Sequence, residues 1–166
     1  MTFRSERLRV ERVLTGFDSG EPALDNWLIG LALNADRSGT ARTFVWSDDE
    51  LQVVAFMNLC PHEIRRDVLP FKGGRGSPNV IPAILLARLA LDRRLHGEGL
   101  GAQLLVDAIG RAVDAVDLAG GRLIAVDALH EQAAAFYRRF GFQEVPDVPL
   151  RLVMEASDAA ASLGLP

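Results

Sequence analysis

The sequence predicts an α/β fold built on a mixed β-sheet, and three observations carry that expectation. Residues 83–91 and 122–126 are nearly continuous apolar runs, as strands covered on both faces require. Between them a glycine-rich turn opens a long amphipathic stretch, so the centre of the chain reads strand, helix, strand. That order pairs the two strands in parallel through a right-handed crossover. The flanking segments are shorter, alternate apolar with polar residues or are bounded by polar turns, and suit antiparallel neighbours.

From the N-terminus, residues 8–13 alternate apolar and polar with period two, the pattern of a half-buried strand. Asp18 or Ser19 can cap a helix whose apolar face is Leu24, Trp27, Leu28 and Leu31, ending before Ser38 and Gly39. Residues 42–46 and 51–59 flank the polar segment 47–50 and read as a hairpin. Pro61, Pro70, Gly73, Gly74, Gly76, Pro78 and Pro82 then argue against any long element between 60 and 82. A connection beyond ~12 to 15 residues suits a binding loop or a lid. After the strand at 83–91, Leu100, Leu104, Leu105, Ile109, Ala112, Val113 and Val116 mark one face of a long helix stopped by Gly120 and Gly121. A strand at 122–126, a short helix at 131–140 with His130 near its start, and strands at 142–145 and 150–154 complete the order. Residues 155–166 are expected as a loose tail or one helical turn. No repeat or second domain is visible, so residues 1–166 read as one domain.

The 166 residues are 49% apolar and 24% charged, ordinary globular composition for a chain that buries about 70% of its unfolded surface. The first residues lack an apolar signal region and no apolar run nears the ~20 residues that span a bilayer, so a cytoplasmic protein with no membrane partner is expected. One cysteine, Cys60, excludes an internal disulfide and argues against a structural metal. The net charge of −4 argues against wholesale nucleic-acid binding, yet residues 60–94 carry +4 and the remainder −8. In sequence, the positive part surrounds the glycine turn.

That turn, Arg94-Leu95-His96-Gly97-Glu98-Gly99, with Gly101 just beyond, follows an apolar strand and leads into a helix. Glycines let backbone approach phosphate oxygens, and the free N–H groups of a first helical turn bind anions with help from the helix dipole. Arg93 and Arg94 can add positive charge, and His96 can touch a phosphate. A tight turn needing only positive φ is the alternative. Residues 97–102 also satisfy the loose G-x-G-x-x-G/A dinucleotide pattern, but five residues separate the first glycine from its strand and too few βα units follow. A Walker A loop is excluded because no Gly-Lys-Ser/Thr follows.

Here the chain resembles the GNAT N-acetyltransferase superfamily, whose signature is Arg/Gln-x-x-Gly-x-Gly/Ala between a central strand and a helix; Arg94, Gly97 and Gly99 fit it. Ile81-Pro82, the stretch 86–92 (LARLALD) and the stretch 136–142 (FYRRFGF) are similar to the GNAT toxins of bacterial toxin-antitoxin modules. So are residues 17–20, 24–28 and 42–45. The resemblance implies a mixed sheet of about six or seven strands with helices on both faces and a splay between its two central parallel strands. It implies acetyl-CoA as cosubstrate and no metal, with the backbone of Leu89, Ala90 and Leu91 against the pantetheine arm. N–H groups from Leu95, His96, Gly97, Glu98, Gly99, Leu100 and Gly101, next to Arg94, would hold the pyrophosphate. An amine would attack the thioester, a strand N–H would stabilise the oxyanion, and Tyr137 would protonate the departing thiolate.

Tyr137 is the only tyrosine, and a phenol of reference pKa ~10 is protonated at neutral pH and able to donate. Its alternative use is as one ring of an aromatic cluster with Phe136, Phe140 and Phe142. His62, Glu63 and Asp92 are candidate bases by position, none of them compelling. The lack of an evident base favours an α-amine of pKa near ~8 over a lysine near ~10.4. The toxin resemblance implies such an amine on an aminoacyl-tRNA, a ribbon-helix-helix antitoxin encoded alongside, and a homodimer; the basic residues Arg65, Arg66, Lys72, Arg75 and Arg88 are candidate substrate contacts that agree with it, a merely solvated face being the alternative for residues 65, 66, 72 and 75. A sequence pI of 5.4 and a single lysine depart from tRNA-acting relatives, so a small-molecule amine or a protein N-terminus stays open as acceptor. A non-catalytic acetyl-CoA-binding or interaction module is the reading of another class. Cys60 and His62, two apart, would share a face and permit a thiol nucleophile or half a metal site, but no third group supports either.

Overall fold

The computed structural model describes residues 2–71 and 76–164. Its elements run β1 (Glu6–Arg7), α1 (Pro22–Gly30), α2 (Ala32–Ser38), β2 (Arg42–Ser47), β3 (Val53–Arg65), β4 (Val80–Leu91), α3 (Leu100–Ala119), β5 (Leu123–Asp127), α4 (Glu131–Arg139), β6 (Gln143–Glu144), β7 (Arg151–Glu155) and α5 (Ala156–Ser162). The strands form a seven-stranded mixed sheet in the order β1-β2-β3-β4-β5-β7-β6, with one parallel pair, β4 and β5. That parallel register covers only Ala83↔Leu123 to Leu86↔Val126, while β4 continues to Leu91. Strands that are buried on both faces and joined by a helical crossover must pair in this way, which is why the two apolar runs predicted it.

Contacts divide the chain into two compact units, Met1–Cys60 with Ala87–Ala108, and Pro61–Leu86 with Ile109–Pro166. β3, β4 and α3 each pass from one unit into the other. In the first unit, Leu28 and Ala32 of the two N-terminal helices pack with Leu8, Phe17, Val45, Val53, Phe56 and Ala90. Phe56 meets Phe17 edge-on at 5.7 Å and stacks with Trp27 at 6.1 Å. The Asp107 carboxylate on α3 accepts from Trp46 Nε1 at 2.7 Å and Ser5 Oγ at 2.7 Å, tying the N-terminal segment and β2 to that helix. In the second unit Leu123, Ile124, Ala125 and Val126 are buried without a break, as are Leu152 and Val153 opposite them.

Four regions differ from their sequence-based expectations. The strand expected at 8–13 lies earlier, at β1: residues 9–12 turn, with Arg12 N–H donating to Arg9 O at 3.1 Å. Only Leu8 of that alternating set enters the core, while Val10 is 62% exposed. The first helix is two helices broken at Leu31 (φ −127°), a break that re-phases the chain so that Ala32 reaches the core and Leu31 stays outside. β3 and β4 extend to Arg65 and from Val80, leaving a connection of residues 66–79 instead of 60–82. Pro61 is tolerated because β2 pairs with β3 only as far as Arg42↔Leu59, so a missing N–H beyond that point need not break the β2 ladder. The tail is helical through Ser162, with Ala156 and Ala159 buried.

Leu105, fully buried on α3, and Val106, 44% exposed beside it, give a direct check of this packing. Leu105→Ala is expected to cost about 2–5 kcal/mol in urea unfolding, and Val106→Ala no more than ~0.5 kcal/mol; equal costs would contradict the orientation of α3.

Candidate functional site

The β4–α3 turn is organised by Asp92, whose side chain is 3% exposed. Its carboxylate accepts the N–H of Asp18 at 3.2 Å and, from Arg94, the N–H at 3.0 Å, Nε at 2.9 Å and a terminal nitrogen at 3.2 Å. Burial pushes this carboxyl up, but the Arg94 hydrogen bonds, the Asp18 N–H and the Arg94 charge outweigh it and hold Asp92 below the ordinary carboxylate value. One 3-10 turn follows, Arg93–Leu95, and His96 Nε2 donates to the Leu91 carbonyl at 2.8 Å. Gly97 (φ 82°) and Gly99 (φ 75°) then take left-handed conformations that disfavour side chains, with no atom within 4 Å of where a Cβ would stand. The glycines serve backbone handedness and open access, not close packing.

Among the described residues no hydrogen bond takes up the N–H groups of Gly97, Glu98 and Gly99. Those of Leu100 and Gly101 open a 20-residue helix, whose first N–H groups lack intrahelical acceptors. This cradle suits a phosphate-bearing ligand. Arg93 pairs with Asp18 and Arg94 with Asp92, so the nearby positive charge expected from the sequence is matched by carboxylates. Anion attraction therefore rests on the amides and the dipole of α3.

The Asp92 N–H bonds to Val54 O of β3 at 2.8 Å. Neighbouring residues in an antiparallel ladder face opposite edges, so the backbone groups of Leu91 and Leu89 face the edge of β4 away from β3. The parallel register has already ended there, at Leu86. That edge of residues 87–91 is where an extended ligand arm could add its own hydrogen bonds. Arg88, on the same stretch, stacks 4.1 Å over the Trp27 ring and donates from one terminal nitrogen to Asn58 Oδ1 at 3.2 Å. Asn58 is fully buried and fixed in turn by donating to Thr43 Oγ1 at 3.3 Å. Arg88 is an oriented cation, and Asn58 had no sequence signal beyond an apolar-run interruption.

In the second unit, Tyr137 lies on α4, capped at its start by His130, whose Nδ1 accepts from Ala133 N–H at 3.1 Å. The Tyr137 ring is buried against Phe136 at 5.6 Å and Phe142 at 5.9 Å, and its hydroxyl has no hydrogen-bond partner among the described residues. Burial first, and then the negative charge of Asp127, push the phenol well above its ordinary pKa. The aromatic-cluster and acid readings are thus compatible: one ring packs while its hydroxyl stays protonated.

Asp127 ends β5 and is gripped by Arg151 at 2.7 and 2.9 Å; the remaining terminal nitrogen of Arg151 reaches His62 Nε2 at 2.6 Å. Burial, followed by the Arg151 charge, lowers the His62 pKa against smaller opposing effects of Asp127 and Glu63. The sequence reading named His62 but missed Asp127 and Arg151, which become partners only through the register Asp127↔Arg151.

Two described residues of the basic segment are held by partners near in sequence. Arg65 pairs with Asp67; Arg66 closes the 66–79 connection by donating to Ser77 O at 2.8 Å and Asn79 Oδ1 at 3.1 Å. Lys72 and Arg75 lie outside the described residues. Cys60 and His62 sit two apart on β3, and no group of three or more His, Cys, Asp or Glu among the described residues could hold a metal ion. No helix of the described residues is long and apolar enough to cross a membrane.

Residues 39–144 match a family model described as an acetyltransferase (GNAT) domain. A tRNA-acetylating toxin of Mycobacterium tuberculosis is 44% identical over 151 residues, covering 91% of this chain and 90% of that protein. Among solved structures, AtaT complexed with acetyl-methionyl-tRNAfMet aligns with a TM-score of 0.88 at 28% identity, covering 97% of this chain and 99% of that one. A tyrosine-to-phenylalanine mutant of the AtaT toxin, bound to the C-terminus of the antitoxin AtaR and acetyl-CoA, aligns with a TM-score of 0.81 at 27% identity, covering 96% and 97%.

The depressed Asp92 pKa has a consequence for folding. Its contribution is fully present above the unfolded carboxylate value of ~3.9 and is lost as pH falls through the lower folded value. Asp92→Asn should therefore cost about 1–3 kcal/mol at pH 7 and much less near pH 2, as read by urea unfolding across that range. A pH-independent difference would remove Asp92 from its place as the charged anchor of the turn.

Proposed function

The chain belongs to the GNAT acetyltransferase family, and from that premise we propose that it moves the acetyl group of acetyl-CoA onto the α-amine of an aminoacyl-tRNA, with Tyr137 as general acid. The coarser activity follows from membership: the protein is an acetyl-CoA-dependent N-acetyltransferase. The observation that carries the finer reading is Tyr137, whose ring is buried and whose hydroxyl is kept protonated and unclaimed by any described protein group.

In this reading the amides of Gly97 to Gly101, with Gly97 and Gly99 at positive φ, hold the pyrophosphate, while the Leu95 and His96 N–H groups are already donated to Asp92 O and Arg93 O within the turn, and the β4 edge presented by Leu89 and Leu91 aligns the pantetheine arm. A backbone N–H on that edge stabilises the oxyanion formed when the amine attacks. Tyr137 donates its proton to the departing sulfur. Arg88, pre-oriented by Trp27 and Asn58, is the best-supported acceptor contact; Arg66 already closes its own loop. Arg65, Lys72 and Arg75 complete the proposed basic set.

Support for the acceptor comes from the 44% identity to a tRNA-acetylating toxin and the likeness to AtaT with acetyl-methionyl-tRNAfMet. An antitoxin partner of the ribbon-helix-helix type, a homodimer, a cytoplasmic location and one functional domain over residues 1–166 belong to the same proposal.

Labelled acetyl-CoA incubated with charged tRNA, deacylated tRNA, peptides and small amines tests it. Label is expected on charged tRNA alone. Label confined to small amines or peptide N-termini would replace the acceptor, and none at all would favour a binding module. Tyr137→Phe is expected to keep acetyl-CoA affinity in calorimetry and to lose at least about tenfold in turnover, ~1.4 kcal/mol in the barrier; full turnover would remove Tyr137 as the acid.

A further inference from the structure

We propose that Arg151 is a positioning residue that denies the site a histidine base, restricting the enzyme to acceptor amines that arrive neutral. An arginine side chain has only donors, so the His62 Nε2 at 2.6 Å from its terminal nitrogen must be the unprotonated ring nitrogen. The imidazole is then neutral with its proton on Nδ1. It can donate one hydrogen bond, but its only lone pair is already occupied.

The clamp is built from three strands. Arg151 opens β7, Asp127 ends β5, and His62 lies on β3. The fork of Arg151 onto Asp127, at 2.7 and 2.9 Å, fixes the guanidinium plane and leaves the third nitrogen aimed at the ring. The preceding residue, Leu150, has φ 65°, and its carbonyl accepts the Ala128 N–H at 2.8 Å, so the backbone on both sides of the ion pair is tied across the same two strands. The charged groups acting on His62 are Arg151, Asp127 and Glu63; Asp127 also acts on Tyr137. Glu63 is exposed and Asp92 is committed to the turn, so neither of the other candidate bases replaces His62.

This inference rests on the acetyltransferase reading and deepens it to a substrate class. With no base, the acceptor sheds one proton to water before its lone pair forms the N–C bond and the C–S bond breaks. Tyr137 gives its proton to the sulfur, and the second nitrogen proton leaves through solvent as Tyr137 is restored. At pH 7 about a tenth of an amine of pKa ~8 is neutral, against roughly one part in 2,500 of a lysine-type amine at ~10.4, a discrimination of about 250-fold. An esterified aminoacyl group falls on the favoured side.

Nitrogen NMR of the three histidines, His62, His96 and His130, reads the tautomer without any substrate. The native protein should show His62 as the Nδ1–H form titrating below 6.5, and Arg151→Met should move its titration upward. In parallel, kcat/KM on charged tRNA should follow only the ionisation of the acceptor, with no break at the titration point of His62. His62→Gln, which can accept from Arg151 and still donate, should lose less than tenfold in kcat/KM and keep that profile. An Nε2–H tautomer, a native break coinciding with the His62 titration, or a larger loss in His62→Gln would overturn the proposal. Failure of charged tRNA to take label would instead sink the acceptor reading while the tautomer result stands.

Discussion

A strand that must deliver a ligand to a helix mouth needs a firm end, and in this chain the end is a single buried carboxylate. Asp92 is the last point at which β4 is held by β3, and its two oxygens gather donors from Asp18 and Arg94. An unpaired carboxylate at 2% exposure would cost several kcal/mol in desolvation, so these donors are a condition of the fold as well as of the turn. Once they are in place, the chain leaves β4 in a fixed direction, completes one tight turn and reaches the two left-handed glycines with the amides of α3 directly after them. The geometry that suits a diphosphate is thus set by interactions that contain no ligand.

Other polar groups act in the same manner, each converting a flexible side chain into an oriented one. Asn58 aims Arg88, Asp107 anchors Ser5 and Trp46, and Asp127 aims Arg151. Arg93, Arg94 and Arg151 are matched by carboxylates, which leaves less unbalanced positive charge for long-range attraction at a net charge of −4. Recognition of an anionic partner in such a protein depends on local, pre-formed donors more than on a broad field.

How far the sequence reached can be seen from particular residues. The glycine turn, α3 and the parallel pair were legible because glycine, helical periodicity and doubly buried strands leave local signatures. The burial of Tyr137 among phenylalanines was visible in their spacing. What escaped depends on register and on partners distant in sequence. Pro61 sits inside a strand because β2 has already stopped pairing, and Leu31 falls outside the core because the helix breaks at its own position. Arg151 and Asp127 lie 24 residues apart and meet only across β5 and β7.

The raised pKa of Tyr137 also constrains how it can act as an acid. A thiol of reference pKa ~8.5 is a weaker base, once ionised, than a phenolate of pKa ~10 or higher. Complete transfer from Tyr137 to the leaving sulfur is therefore uphill when considered alone, and burial makes it more so. The step becomes favourable when coupled to loss of the second proton from the acylated nitrogen, which is far more acidic than either group. Under the proposed mechanism Tyr137 is a donor that carries its proton whenever the thioester breaks and is refilled by the reaction it assists. A group of lower pKa would release its proton more readily but would stand empty for part of the time at neutral pH. Burial among Phe136 and Phe142 favours constancy of protonation over acid strength, and the proposed mechanism, which uses no base, is the one that gains most from that constancy.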